Sequence, residues 1–286
     1  MLRTLRHSWQ WIGGMTNGIA VLASIAMSSQ ATLAGTVPTF DHIVIVIEEN
    51  HGYSQIIGSS SAPYINSLAQ EGANFTNSHG VTHPSQPNYL ALFSGSTQGV
   101  TNDNCPLTFS GANLATQLQG INLTFTGYSE SMPSAGYTGC SYNSLYYRKH
   151  NPWVDFTNIA SSLNQPFTSF PTTFANLPTV SVVVPNEQND MHDGTITQGD
   201  TWLKNNLDAY VQWAKTHNSL LILTFDEDNG TSSNRIATIF VGAHVKQGAY
   251  SENINHYNIL RTIEASLGLP GLNNAANATP ITDSWQ

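Results

Sequence analysis

The stretch His42-Ile43-Val44-Ile45-Val46-Ile47, followed by Glu48-Glu49-Asn50, decides the fold class of this chain. A continuous β-branched run is typical of a strand buried on both faces, as in parallel sheets that helices cover. The run ends in two carboxylates and an amide. Open α/β sheets bind their ligands just beyond the carboxyl ends of the strands, so this segment predicts a central strand that leads into a functional site.

Further strand and helix patterns alternate along the chain. Apolar runs predict strands at residues 40–47, 123–128, 179–184, 220–224 and 236–241, and helical spacing of apolar residues predicts helices at residues 62–71, 201–216 and 256–267. Strands that alternate with helices predict an α/β fold. We expect a three-layer sandwich, in which a mainly parallel sheet carries helices on both faces.

The first 34 residues have the pattern of an export signal. Arg3 and Arg6 give a positive start, residues 18–27 form a short apolar core, and small residues follow up to Ala34. We therefore predict a signal peptide over residues 1–34, a catalytic domain over residues 35–286 and a secreted protein. An uncleaved membrane anchor is the alternative. No later stretch reaches about 18 uninterrupted apolar residues, so we expect no stable membrane insertion.

The charge of the chain argues against a nucleic-acid partner. The formal net charge is -9, from nine Lys and Arg and 18 Asp and Glu, and loss of Arg3 and Arg6 with the signal would make it -11. The largest basic cluster is Arg148-Lys149. The sequence therefore lacks the basic patch that binding to a nucleic-acid duplex requires. We expect a monomer that acts on a small-molecule or lipid phosphate ester.

The two cysteines, Cys105 and Cys140, both follow the predicted signal. In an oxidising compartment we expect them to pair and to stabilise the fold by a few kcal/mol, on the order expected for a loop of this length. A metal or nucleophile role is the less favoured alternative, because neither cysteine has a second Cys or His at ligand spacing.

Residues 82–89, Thr-His-Pro-Ser-Gln-Pro-Asn-Tyr, place a hydroxyl at a junction between a loop and a helix. Pro84 keeps His83 out of helical geometry, and Pro87 suits the first turn of a helix. Ser85 is therefore predicted near the N-cap, where its hydroxyl and the free backbone N–H groups face outward. Such a helix start receives a phosphate or an oxyanion, although a plain capping serine is the alternative.

Polar clusters follow three of the predicted strands, at residues 48–50, 185–193 and 226–228. Carboxylates gathered at strand ends repel each other unless protons or a cation neutralise them, so the pattern predicts a divalent metal. Ordinary acidic loops are the alternative. The presence of His192 and His256 near these clusters favours a functional site.

Several stretches together resemble the bacterial phosphoesterase family, which contains acid phosphatases and phospholipases C and is a branch of the alkaline phosphatase superfamily. In order and spacing the resemblance covers nearly all of the chain beyond the signal, and it implies an alkaline phosphatase-like fold. The stretches are Glu48-Glu49-Asn50, Ala62-Pro63, the run from His83 to Phe93, Lys149-His150, Pro152-Trp153-Val154, the run from Asn189 to Gly194, Asp226-Glu227-Asp228, Gly242-Ala243-His244 and His256-Tyr257-Asn258.

The resemblance also implies a role for each matching residue. Ser85 takes the position of the nucleophile and Asn88 that of a donor to a phosphoryl oxygen, while His192 faces the phosphate and is our first choice for the proton donor. The implied metal ligands are Glu49, Asn50, Asp226 and Glu227, where the family often has two aspartates for the last pair. Asp190 and His256 lie where relatives with two metals hold the second metal, and the resemblance implies that they bind this metal or the phosphate. His79, His83, His150 and His244 are weaker candidates for the pocket.

These assignments predict a secreted, metal-assisted acid phosphatase that hydrolyses phosphate monoesters, including phosphoinositide lipids, through a phosphoserine. The identity of the divalent metal, and whether one or two ions bind, stay open. A phospholipase C-type phosphodiesterase on the same site is the alternative, which the short chain without a separate lipid-binding domain disfavours. A secreted binding protein without turnover is a third reading, and the joint presence of Ser85, Glu49 and Asp226 argues against it.

Overall fold

The computed structural model describes Met1 and residues 36–286, so the predicted signal peptide lies outside the described residues. Residues 36–286 belong to one compact unit. No helix within the described residues combines the length and the apolar character needed to cross a bilayer.

The elements are short strands and helices in alternation. The strands are β1 (His42–Glu48), β2 (Ala73–His79), β3 (Phe125–Ser129), β4 (Ser141–Tyr142), β5 (Tyr146–Tyr147), β6 (Asn164–Pro166), β7 (Val180–Val184), β8 (Ser219–Phe225), β9 (Arg235–Gly242), β10 (Gly248–Tyr250) and β11 (Ile254–Asn255). The α-helices are α1 (Tyr53–Ile56), α2 (Pro63–Glu71), α3 (Ser85–Ser94), α4 (Leu114–Gly120), α5 (Ile196–Ala214) and α6 (His256–Ser266).

Nine of the described strands form one sheet, in the order β10-β2-β9-β8-β1-β7-β3-β6, with β11 also paired to β2. Strand β9 is antiparallel to β2 and to β8, and the other pairings described in this sheet are parallel. The predicted central strand β1 lies between β7 and β8. The mainly parallel sheet predicted from the sequence is therefore confirmed.

Alternate residues of β1 enter two different cores. Ile43, Ile45 and Ile47 pack with side chains of α3, α4 and α6 on one face of the sheet. Val44 and Val46 pack with side chains of α2 and α5 on the other face. Because side chains alternate along a strand, a strand that is apolar at every position must be covered on both faces, and the predicted three-layer sandwich is confirmed.

Helix α5 and strand β2 differ from the sequence prediction, and several short elements such as α1, α4 and β6 were not predicted. Helix α5 begins at Ile196, five residues before the predicted start, because the Thr195 side chain caps it by accepting a hydrogen bond from the N–H of Gln198. Strand β2 was not predicted. Its sequence ANFTNSH is rich in polar residues, and its pairing with β9 shifts register between Phe75 and Ser78, so it lacks the simple alternation of a half-buried strand.

Helix α3 is buried along its whole length, from Ser85 to Ser94. It ends at Gly95, whose backbone is left-handed with φ 69° and whose N–H bonds the carbonyl of Ala91. A Cβ at Gly95 would lie 2.1 Å from the carbonyl oxygen of Leu272, so a larger residue has no room there. The helix that begins at Ser85 is therefore fixed in position by packing on every side.

Candidate active site

The site lies where β1, β7 and β8 end, at one edge of the sheet. These three strands are parallel neighbours, so their carboxyl ends meet. Backbone hydrogen bonds join the segments just beyond them, from the N–H of Glu49 to the carbonyl of Asp190 at 2.8 Å and from the N–H of Asp226 to the carbonyl of Glu48 at 3.0 Å. The three predicted acidic clusters therefore come together in space.

We predicted that Ser85 lies near the N-cap of a helix. Ser85 is the first residue of α3, and the N-cap residue is Pro84. Among the described residues, the Ser85 hydroxyl makes no hydrogen bond with a backbone group of α3. Instead Oγ lies 3.0 Å from Glu49 Oε2 and 3.3 Å from Glu227 Oε1, as a donor to these carboxylates. Acidic side chains therefore hold this hydroxyl. The alternative that Ser85 is a plain capping serine does not match these contacts.

Asn88 has a different set of contacts from the one implied by the resemblance. Its side-chain oxygen accepts hydrogen bonds from the N–H groups of Val81 and Thr82, and its nitrogen donates to the carbonyls of Thr82 and Pro84. Both amide hydrogens are therefore engaged, and Asn88 braces the loop that leads into Ser85. Donation to a phosphoryl oxygen would require these bonds to break.

One part of the site, the nucleophile half, consists of Ser85, Asp226 and Glu227. Asp226 Oδ1 accepts a hydrogen bond from the backbone N–H of Asn50 at 3.2 Å, and Asp226 Oδ2 is buried without a hydrogen-bond partner in the described chain. Glu227 Oε2 lies 2.5 Å from His83 Nδ1. An open cleft beside this half is lined by Asn50, His83, Pro84, Glu227, Asp228, Asn229 and Gly230.

The other part, the histidine half, consists of His150, Glu187 and Asp190, with His192 at its rim. Ligand atoms of His150, Glu187 and Asp190 lie within 4.8 Å of one another, and all three residues are buried. A second group of the same kind joins Glu187 to His192 and Asp193. The sequence had assigned a role to Asp190 and His192 here, but it gave Glu187 none and ranked His150 among the weaker candidates.

Glu49 connects the two halves. Its Oε2 accepts from Ser85, while Oε1 accepts a hydrogen bond from the Tyr89 hydroxyl. His150 Nε2 is 3.1 Å from Glu49 Oε1, in an orientation that does not make a hydrogen bond. The rings of Tyr89 and His150 are stacked with centroids 5.0 Å apart, so α3 supports both the nucleophile and the histidine.

His256 lies behind the carboxylates rather than among them. Its Nε2 is 2.6 Å from the carbonyl oxygen of Asp226, and its Nδ1 is buried without a partner in the described chain. Burial lowers the pKa of His256 to about 4, so the ring is neutral near pH 7. This residue, predicted at a second metal or at the phosphate, is not part of either ligand group found among the described residues.

The electrostatics of the site favour neutralisation of its acids. Burial, strengthened by the charge of Glu49, raises the pKa of Asp226 and of Asp190 well above the usual value. Burial also raises the pKa of Glu227 and of Glu187 to about 7. In ordinary acidic loops, the alternative considered above, the carboxylates would be solvated and their pKa values would not be raised. The buried carboxyls of this site instead need protons or a cation to neutralise them.

The donor set fits a divalent metal. Atoms buried without a hydrogen-bond partner in the described chain include Asp226 Oδ2, Asp190 Oδ2, Glu187 Oε1 and His150 Nε2. Burial lowers the pKa of His150 well below its usual value, which keeps the imidazole in the neutral form that binds metals. Carboxylate and imidazole donors together suit first-row divalent ions. The pair Lys149-His150, among the stretches of the resemblance, is the signal that could have identified this histidine as a ligand.

The predicted disulfide between Cys105 and Cys140 is confirmed, with the two Cα atoms 5.8 Å apart. It holds two loops beside the segment Arg148–His150. Arg148 is buried, pairs with Asp155 at 2.9 Å and donates to three backbone carbonyls of the same region. The irregular segment that carries His150 is therefore fixed by covalent and ionic contacts rather than by regular structure.

Comparison with known proteins identifies the family. The model of the Phosphoesterase family matches residues 59–270. The chain belongs to this family. A phosphatidylinositol-3-phosphatase of Mycobacterium tuberculosis is 48% identical over 100% of this chain and 99% of its own length. The predicted family is therefore confirmed, and so is the prediction of an enzyme that hydrolyses phosphate esters.

More distant relatives agree with this assignment. An acid phosphatase of Aspergillus fumigatus is 33% identical over 72% of this chain, which spans 50% of that protein, and a phosphate-repressible acid phosphatase of Penicillium chrysogenum is 32% identical over 82% of this chain, which spans 60% of it. The chain thus matches only part of the length of these fungal relatives.

Solved structures confirm the predicted alkaline phosphatase-like fold. A protein of the alkaline phosphatase superfamily from Vibrio parahaemolyticus superimposes with a TM-score of 0.63, at 11% identity, over 88% of this chain and 72% of its own. A lipoteichoic acid synthase of Listeria monocytogenes gives a TM-score of 0.60 at 11% identity, over 88% of this chain and 78% of its own.

Proposed function

We propose that this phosphoesterase is a phosphatase that hydrolyses phosphate monoesters through a phosphoserine at Ser85. The observation that carries the proposal is the Ser85 hydroxyl, which begins a fully buried helix and lies within hydrogen-bond distance of both Glu49 and Glu227. A serine hydroxyl is a weak nucleophile until a neighbouring group takes its proton. The two carboxylates are placed to do so.

In the first step Ser85 Oγ attacks phosphorus in line with the leaving oxygen, and its proton passes to one of the two carboxylates it contacts. The positive end of the α3 dipole lies at Ser85 and favours the negative charge of the transferred phosphoryl group. Because α3 is buried on all sides, Ser85 keeps its orientation during this step. In the second step water attacks the phosphoserine, which releases phosphate and restores the hydroxyl.

The proton for the leaving alkoxide comes from His192. Its side chain is 29% exposed, and Nδ1 is held by Asp193 at 2.8 Å and by Glu187 at 3.2 Å. Within the described residues no hydrogen bond involves His192 Nε2, which leaves that nitrogen free to face a leaving group. The acidic partners of Nδ1 fix the orientation of the ring, so that the opposite nitrogen can deliver a proton to the leaving oxygen.

We further propose that the site holds one or two divalent ions. The ligands on the nucleophile side are Glu49, Asn50, Asp226 and Glu227, and those on the histidine side are His150, Glu187 and Asp190. A bound cation would neutralise the gathered carboxylates and stabilise the charge of the phosphoryl group. Removal of the metal by a chelator should abolish turnover, and addition of a divalent ion should restore it. Full activity of protein shown by elemental analysis to be free of metal would refute this part.

The natural substrate class that we propose includes phosphoinositide lipids, as the name of the mycobacterial relative suggests. We also propose that the protein is secreted, since the first 34 residues carry a signal pattern and the disulfide suits an oxidising compartment. Release of inorganic phosphate from a phosphoinositide in mixed micelles tests the first statement. N-terminal sequencing of the exported protein tests the second, and a retained Met1 would contradict it.

The decisive experiment for the mechanism is an acid quench with labelled monoester, followed by peptide mapping. Label should appear on Ser85, and Ser85→Ala should lower the rate by about a thousandfold or more, because the two-step route is lost. Ser94→Ala, at the other end of the same buried helix, is the matched control and should leave the rate nearly unchanged. A Ser85→Ala variant with normal turnover would show that water attacks the substrate directly.

A further inference from the structure

Lys149 is a cation at the edge of a site that is otherwise built from carboxyls. Its side chain is 15% exposed, and the charges of Glu49 and Glu187 act on its ammonium. The neighbouring Arg148 is engaged with Asp155 and with backbone carbonyls. Lys149 is therefore the basic residue of this segment that remains able to meet a negatively charged substrate.

The ammonium is placed beside the start of the nucleophile's helix by a single carboxylate. Asp103 Oδ1 accepts a hydrogen bond from the backbone N–H of Gln86 at 3.0 Å, and Asp103 Oδ2 lies 3.3 Å from Lys149 Nζ. Gln86 is the residue directly after Ser85. The position of Lys149 relative to the nucleophile is thus set through one side chain.

Asp103 lies on a loop that the disulfide restrains. Asp103 is two residues before Cys105, whose disulfide to Cys140 fastens the loop to the segment leading toward Lys149. An ammonium has three donors, and Asp103 is the one hydrogen-bond partner of Lys149 Nζ among the described residues. Two donors therefore remain for a ligand.

We propose that Lys149 is a substrate-binding residue that selects phosphate monoesters over diesters, an inference that rests on the proposed phosphatase function. Near pH 7 a monoester carries up to two negative charges, whereas a diester carries one. In a site lined by acids, the additional charge of a monoester needs a cation that is held in place. Lys149, fixed by Asp103 next to the start of α3, supplies that contact.

The test compares Lys149→Met with the wild-type enzyme, at about pH 7, on p-nitrophenyl phosphate and on bis(p-nitrophenyl) phosphate. A charge-assisted hydrogen bond of about 1.5 to 3 kcal/mol corresponds to a loss of about tenfold to a hundredfold in kcat/KM for the monoester. The diester should lose less than about threefold, because its single charge depends less on this contact. The expected result is a monoester-to-diester ratio that falls by about tenfold or more.

Lys149→Arg keeps the cation and should keep the ratio close to wild type, while Lys246→Met removes an exposed lysine elsewhere and should change nothing. Lys149→Gln replaces the Met variant if that protein does not fold. Calorimetric titration with inorganic phosphate gives a readout without turnover, and the Lys149→Met protein should bind phosphate about tenfold more weakly. Equal phosphate binding, or an unchanged ratio, would overturn the proposal. A wild-type enzyme that binds phosphate through Lys149 but turns over neither ester would instead count against the proposed function.

Discussion

The nucleophile half and the histidine half of the site are both acidic and buried, yet they are assembled differently. Ser85 is the first residue of a helix and Asp226 directly follows a strand, so regular elements position this half. His150 ends a single 3-10 turn, and Glu187 lies in the loop between β7 and α5. The first half is therefore built from element ends, and the second from irregular segments that need other fastenings.

The difference teaches where the rigidity of each half comes from. Helix α3 is held by packing on all sides, which fixes Ser85 without further cross-links. The segment Arg148–His150 has little regular hydrogen bonding, and the buried pair of Arg148 with Asp155 and the nearby disulfide hold it instead. A change in the polar or covalent contacts should thus affect the histidine half more than the nucleophile half.

The largest effect is expected at Glu49, which connects the two halves. Glu49→Gln should lower the rate by about a thousandfold, since it weakens the contact with Ser85 and removes a charge beside His150. Initial-rate assays with p-nitrophenyl phosphate measure the loss. The matched control is Glu48→Gln. Glu48 is just as buried, but strand alternation turns it toward the other face, and both its oxygens lack partners in the described chain.

The Glu48→Gln variant should retain its rate within about threefold, because its side chain does not face the nucleophile. Equal losses of rate in Glu49→Gln and Glu48→Gln would mean that Glu49 does not connect the two halves of the site. In that case the effect would arise from any change at the end of β1.

A smaller effect, which depends on the substrate, is expected at His192. If this ring protonates the leaving oxygen, His192→Ala should lose about a hundredfold with an alkyl phosphate and less than about tenfold with p-nitrophenyl phosphate, whose leaving group needs no proton. The two kcat values measure the difference. His217→Ala, a histidine that precedes β8 at the opposite edge of the sheet, is the control. A loss of the same size on both substrates would remove His192 from the role of acid.

The smallest effect on the rate is expected from the disulfide. Replacement of both Cys105 and Cys140 by Ala should lower the free energy of unfolding by about 2 to 4 kcal/mol, because the 35-residue separation no longer restricts the unfolded chain. Urea unfolding measures this change. Below the unfolding transition the rate should fall by about tenfold or less, through a looser histidine half. An unchanged unfolding midpoint would show that Arg148 and packing alone hold these loops.

The sequence by itself determined the fold class and most of the acidic ligands. The apolar run of β1 requires cover on both faces, and the polar residues after three strands must meet at one edge when those strands are parallel neighbours. The disulfide also followed from the sequence, since the chain has two cysteines. These inferences rest on local sequence patterns, which indicate which residues are buried and where strands and helices end.

Only the tertiary structure decided how these residues contact one another. Ser85 meets Glu49 and Glu227 across sequence separations of 36 and 142 residues, and no local period encodes such a contact. Asn88, expected at the phosphate, turns its amide to the loop because four nearby backbone groups need partners there. His150 and Glu187 lie in segments without periodicity, so their pairing depends on how the packed sheet, the disulfide and Arg148 place two loops side by side.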